Sequence, residues 1–116
     1  MPAPARRPNK RSLALSKVYG LLEPGPVLLL TTSHKGAANV MTMSWHTMME
    51  FEPPRVGCVI SENDFSFAAL SATRQCALNI PTVELAAQVV GCGNASGAQV
   101  DKFARFGLSD APPLKR

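Results

Sequence analysis

Two clusters of chain-breaking residues, Glu23-Pro24-Gly25-Pro26 and His34-Lys35-Gly36, bracket the run Val27-Leu28-Leu29-Leu30-Thr31-Thr32. A stretch so apolar and so short is far below the length of a membrane span, and it predicts a buried strand. His34-Lys35-Gly36 then predicts a turn, with residues 37–45 returning as a second strand in a hairpin. Pro53-Pro54 breaks the chain again. Val56 to Ser61 reads as a third strand and Cys76 to Ile80 as a fourth, and no further strand is readable.

Helical patterns fill the gaps. Leu13, Leu15, Val18, Leu21 and Leu22 recur at helical spacing and predict a short amphipathic helix over 13–22. Residues 64–73 predict another, with Asn63 or Asp64 as N-cap. A further helix should start from Thr82 and end at Gly91, where a residue without Cβ suits a left-handed cap. A last short one covers 98–105 and stops near Gly107. The pattern is a β-rich α+β domain, with helices packed around the sheet.

The net charge of +4 lies in the tails. Arg6, Arg7, Lys10 and Arg11 stand among prolines in a basic stretch, 1–12, that predicts a solvated tail ahead of a domain over 13–116. Lys115 and Arg116 add two charges, and the segment 13–114 balances six Lys and Arg against eight Asp and Glu. That body has no electrostatic footprint for nucleic acid. With no long apolar stretch after the basic residues, a secretory signal and a membrane partner are not expected, and the expected compartment is the cytoplasm.

Cys58, Cys76 and Cys92 form no C-x-x-C pair and suggest no disulfide framework. Cys58 and Cys76 read as small core residues. Cys92, in Gly91-Cys92-Gly93-Asn94, reads as a loop thiol and is the one candidate for reactivity, although nothing beside it in sequence would lower its pKa. His34 and His46 lack partners at metal-ligand spacing, so no metal is expected.

Three clusters are chemically informative. In the strand Asn39-Val40-Met41-Thr42-Met43-Ser44-Trp45-His46, Thr42 and Ser44 share one face, with Met41, Met43 and Trp45 on the other. Such a strand can offer hydroxyls and backbone groups to a polar ligand, or simply be half-buried. Ser61-Glu62-Asn63-Asp64-Phe65-Ser66 joins a strand to a helix, where free amides favour an anion or serve as an ordinary cap. Gly91 to Gly97, followed by Asp101-Lys102-Phe103, allows close backbone approach and supplies a cation, or is a loop with a solvated lysine.

Together, Asn39 to His46, Pro53-Pro54 with Val56-Gly57, Asn79-Ile80-Pro81 and the stretch Gly91 to Phe103 resemble the flavin reductase-like, FMN-binding split-barrel proteins of the flavoredoxin and ferric-reductase type. The resemblance covers roughly residues 16–110. It implies a split β-barrel of Greek-key type, a homodimer and bound FMN. It places the flavin ring at Asn39, Thr42, Met43, Ser44 and Trp45, and the phosphate at Ser61, Asn63, Ser66 and Lys102. Asn79 would contact the ribityl chain or brace the sheet.

The implied activity is hydride transfer from NAD(P)H to FMN, with electrons passed to a free flavin, a ferric chelate or a partner protein. The flavin carries that chemistry, so no catalytic triad, carboxylate pair or metal cluster is expected. Proteins of this family continue past the point matching Ala111 to Arg116, so the later barrel strands are expected to be missing. A flavin-carrying protein without turnover and an inactive remnant are the alternatives.

Overall fold

A computed structural model describes residues 9–23 and 25–109. Most of the basic tail expected over 1–12 therefore lies outside the described residues, as does the segment from Asp110 onward. Strand β1 (Leu28–His34) pairs along its whole length with β2 (Ala37–Met43), Leu28 opposite Met43 and His34 opposite Ala37. Lys35 and Gly36 between them both take positive φ, 52° and 78°. Two successive left-handed residues match the twist of a two-residue hairpin and fix its register.

Strand β5 (Ala77–Asn79) lies on the other side of β1, with Leu78 opposite Leu30, so the sheet order is β2-β1-β5. Strand β1 is central and covered on both faces, which is why its sequence is a continuous apolar run rather than an alternation. On one face Leu29 packs with Val40, and with Val89 and Cys92 of α3 (Ala86–Gly93), beneath Phe103 and Phe106 of α4 (Lys102–Phe106). On the other, Leu28, Leu30 and Met43 pack with Cys58, Ile60 and Leu70, the last from α2 (Ser66–Thr73). Each fully buried leucine there is worth about 1.5–3 kcal/mol relative to exposure.

The sequence reading missed one strand. Residues β3 (His46–Phe51) form a separate two-stranded antiparallel sheet with β4 (Pro54–Cys58), giving five strands among the described residues. His46-Thr47-Met48-Met49-Glu50-Phe51 lacks apolar alternation, and all of it beyond His46 is exposed. Pairing with β4 makes it a strand, not its own pattern. The third strand lies at 54–58, short of Ser61.

The helices also differ from expectation. Over 13–22 a 3-10 turn (Leu15–Lys17) leads into α1 (Val18–Leu22), and neither buries a residue. Helix α2 starts from Phe65 with no side-chain cap, because the Asp64 carboxylate accepts the Ser61 amide instead, at 3.0 Å. A 3-10 turn (Val83–Leu85) follows Thr82, and α3 runs through Gly91 to Gly93. Gly91 is needed for space: a Cβ there would strike the Phe106 ring of α4. Helix α4 begins only at Lys102, capped by Asp101, whose carboxylate accepts the amides of Phe103 and Ala104 at 3.1 and 3.3 Å. It ends at Gly107 with φ 64°, the left-handed stop expected there.

Among the cysteines the expected roles are exchanged. Cys92 is not in a loop but inside α3, 1% exposed, and desolvation pushes its thiol pKa up. Cys76 is exposed rather than buried.

Candidate functional site

Strand β2 is an edge strand of its sheet, and a small cleft opens over it between the start of α2 and the α3–α4 connection. Its volume is about 160 Å³, and its polar lining includes Asn39, Thr42, Asn63, Ser66, Ser96 and Lys102. Asn39 and Ser66 are both buried, and the Asn39 Nδ2 donates to the Ser66 Oγ at 2.8 Å. The Ser66 oxygen is thereby used as an acceptor, which leaves its own proton free for a ligand. Thr42 faces α3 and donates from its Oγ1 to the Val89 carbonyl at 2.6 Å.

Lys102 is 5% exposed. Burial lowers its pKa from the usual lysine value, while the neighbouring Cys92 and Asp64 pull it the other way. A largely buried lysine at the wall of a cleft of hydroxyls and amides is an electrostatic demand for an anion. The backbone approach is close: a Cβ on Gly93 would stand 3.4 Å from the Thr42 Cβ, and one on Gly97 would collide with Asn39 and Phe65.

Past the end of β2, the chain enters a second, larger groove of about 440 Å³. Ser44 and Trp45 line it with His46, Tyr19 and Glu23. Ser44 donates from its hydroxyl to the Glu23 carboxylate, and the His46 Nε2 donates to the Pro26 carbonyl at 2.8 Å. The Trp45 carbonyl accepts the Val59 amide at 2.9 Å, whereas the amides of Ser44 and Trp45 find no acceptor among the described residues.

The candidates named from sequence thus divide. Asn39, Thr42, Asn63, Ser66 and Lys102 meet in the cleft, although 27 residues separate Asn39 from Ser66. Ser44 and Trp45 lie in the groove. Trp45 does not share the buried face of Met43, as expected, but stands beyond the strand with 56% of its surface exposed. Met43 is a core side chain, so only its backbone is available to a ligand. Ser61 is outside the cleft and its hydroxyl accepts the Asn63 amide at 3.1 Å. Asn79 is outside both and braces the sheet, donating to the Leu29 carbonyl at 3.0 Å. Sequence reasoning missed Ser96, which lay inside the flagged stretch. It also missed Glu23 and Tyr19, which carried no signal beyond a helix stop and an aromatic residue in a helix.

The sequence profile of the flavin reductase like domain matches residues 21–115. The chain belongs to the flavin reductase-like domain family. It is 30% identical over 90 residues to YddH of Escherichia coli (strain K12), a match covering 76% of this chain and 48% of that protein. Flavoredoxin of Desulfovibrio vulgaris (Miyazaki F) superposes with a TM-score of 0.74 at 22% identity, over 95% of this chain and 56% of its own. The FMN-binding domain of a flavin reductases-like enzyme from Shewanella baltica OS155 does so with a TM-score of 0.75 at 24% identity, over 90% and 55%. The β-rich α+β arrangement is therefore the flavin reductase-like split-barrel fold, in a chain that spans about half the length of the relatives it matches.

Proposed function

We propose that this flavin reductase-like chain binds FMN, with the phosphate end in the cleft over β2 and the ring along the backbone of residues 42–45. The observation that carries the reading is the Lys102 side chain, 5% exposed, in the wall of the same cleft as the Asn39–Ser66 pair. The donor set suits a phosphate: a cation, a serine proton left free by Asn39, and the first-turn amides of α2, which no side chain caps, apart from that of Phe67, which donates to the Asp64 carbonyl at 3.0 Å. Size supports the same division. A cleft of about 160 Å³ is smaller than the roughly 300–1,000 Å³ that encloses a whole ligand, and fits its anionic end.

At the other end, the amides of Ser44 and Trp45, without an acceptor among the described residues, are donors for the polar edge of a ring system. When bound, the flavin supplies the redox chemistry, accepting hydride from NAD(P)H and passing electrons to a small-molecule or protein acceptor. The chain's own residues bind and orient. Asn39 fixes the Ser66 hydroxyl, and Thr42 fixes β2 against α3.

A homodimer is part of this reading. Apolar side chains on the Leu15–Lys17 turn, α1 and the β3–β4 sheet, such as Leu15 (90% exposed), Leu22 (79%) and Phe51 (86%), offer a surface that association would cover. No described helix is long and apolar enough to cross a membrane. The free thiols at Cys58, Cys76 and Cys92 suit a reducing compartment such as the cytoplasm.

The test is titration of the purified 116-residue chain with FMN, read by flavin fluorescence alongside sedimentation velocity. Saturable binding by a defined dimer is expected. Absence of saturable binding, or equal affinity in Lys102→Met and Ser66→Ala, would overturn the site. Oxidation of NADH or NADPH by the loaded chain then separates a reductase from a flavin carrier without turnover.

A further inference from the structure

The described lysines divide sharply. Lys10, Lys17 and Lys35 are exposed, whereas Lys102 is 5% exposed in the wall of the cleft over β2. Desolvation is the largest influence on its pKa and lowers it, against opposing pulls from Cys92 and Asp64, which line the same cleft. An amine that sheds its proton more readily than an ordinary lysine is a nucleophile as well as a cation. Binding an anion uses only the second property.

The same cleft holds donors for a phosphate. The Ser66 oxygen accepts from the Asn39 amide at 2.8 Å and keeps its own proton, and the start of α2 has no side-chain cap. Gly93 and Gly97 let the backbone come close to Thr42 and Asn39, and the volume of about 160 Å³ leaves room for a phosphate with a small substituent. In so small a space, an electrophilic carbon meets the amine only when it is bonded close to the phosphate. An acyl phosphate meets that condition, because a single oxygen joins its carbonyl carbon to phosphorus.

We propose that Lys102 is an acylation site for small acyl phosphates, with the phosphate held at Ser66 and the first turn of α2. The site rests on the same reading of the cleft as a phosphate pocket and adds a reaction to it. The neutral Lys102 Nζ attacks the acyl carbon and an N–C bond forms. The C–O bond to the phosphate breaks, and the phosphate leaves with that electron pair and takes up the amine proton. Holding both reactants in one cleft raises the rate, and the donors that bind the phosphate also stabilise it as the leaving group. The product is a neutral amide, so acylation removes the cation from the phosphate end of the flavin site.

The full chain, purified free of flavin absorbance, is treated with acetyl phosphate and in parallel with succinimidyl acetate, an acyl donor without a phosphate. Peptide mass spectrometry reads the sites. Acetylation of Lys102 blocks tryptic cleavage there, so residues 75–102 and 103–105 remain in one peptide. Acetyl phosphate should modify Lys102 ahead of Lys10, Lys17 and Lys35, and the phosphate-free donor should reverse that order, following exposure. Inorganic phosphate should protect Lys102 alone. Ser66→Ala should slow acetylation of Lys102 about tenfold and leave Lys35 unchanged. The same order of lysines with both donors would overturn the proposal, as would full acetylation of Lys102 in saturating inorganic phosphate. A chain that acylates Lys102 and fails to bind FMN refutes the flavin reading alone. One that binds FMN while acetyl phosphate leaves Lys102 unmodified refutes the acylation alone.

Discussion

The Asn39 amide of β2 donates to the Ser66 hydroxyl at the first residue of α2, 2.8 Å away and out of contact with bulk water. One bond therefore joins the edge strand to the helix start across the cleft. Ser66→Ala leaves the Asn39 Nδ2 buried without its acceptor, a penalty of about 1–3 kcal/mol. Urea unfolding should register that loss. The same variant should weaken FMN, because it also deletes the hydroxyl proton. Replacing both residues in Asn39→Leu/Ser66→Ala should destabilise the chain by less than the two single changes added together, since neither partner is then left unpaired.

Lys102 supplies a prediction with opposite signs for stability and binding. Desolvation, the largest influence, holds its pKa below the normal lysine value, so the folded chain releases this proton before the unfolded chain does. Between the lowered folded pKa and the unfolded value near 10.4, the unfolded state binds more protons, and stability contributed by this group rises with pH. Lys102→Met should therefore leave the chain at least as stable near neutral pH. Phosphate-end binding needs the charged form and should decline as pH climbs through that lowered pKa. Removal of a charge-assisted contact of about 1.5–3 kcal/mol predicts FMN affinity roughly ten- to a hundredfold weaker in Lys102→Met. Thermal melts and FMN titrations at several pH values between neutrality and alkaline conditions test both halves.

Gly97 lets the α3–α4 connection come down over the cleft. A Cβ there would collide with the Asn39 side chain and stand 2.6 Å from the Phe65 Cδ1. Phe65 is half-exposed and can swing aside, but Asn39 is buried, so Gly97→Ala must displace the connection or break the Asn39–Ser66 bond. Overpacking of this kind costs about 1–3 kcal/mol. FMN affinity should fall with it, whereas Gly36→Ala, where a Cβ meets nothing but φ is 78°, should cost stability without touching FMN affinity. Parallel melts and titrations of the two variants separate loss of the cleft from loss of fold.

The sequence made the β1–β2 hairpin legible because two local signals agree there: a leucine run that only a central strand needs, and Lys35-Gly36 in the turn. It did not reveal β3, whose residues 46–51 are held by β4 and bury almost nothing. The cleft was legible in its parts and not in its assembly. Asn39, Ser66 and Lys102 were each readable as polar groups in a suggestive place, but the contact between them is made by α2 and α4 docking on one sheet. The GCG stretch misled for a physical reason: glycines that look like loop residues serve close packing inside α3, Gly91 under Phe106 and Gly93 against Thr42. Glu23 was visible only as part of a helix stop, and its pairing with Ser44 depends on how the chain turns into β1.

That misreading of the GCG stretch has a direct chemical consequence for the thiols. Cys92, 1% exposed among Leu29, Val40 and Val89, is shielded from any reagent in the folded chain, and its raised pKa reduces the thiolate that would react. Cys58 is partly buried against Leu28 and Leu30, and desolvation again, with a smaller push from Cys76, raises its pKa. Cys76 is exposed. Brief treatment with iodoacetamide near neutral pH should therefore modify Cys76 first and Cys58 more slowly, with Cys92 untouched until the chain is unfolded in urea. Raising the pH should accelerate Cys58 before it affects Cys92, which stays inaccessible whatever its ionisation. Peptide mass spectrometry resolves the three sites, since Arg74 and Lys102 place tryptic cuts between Cys58 and Cys76 and after Cys92, and a second protease divides Cys76 from Cys92. Rapid labelling of Cys92 in the native chain would mean that α3 opens readily from the sheet, and with it the wall of the cleft that Cys92 and Lys102 share.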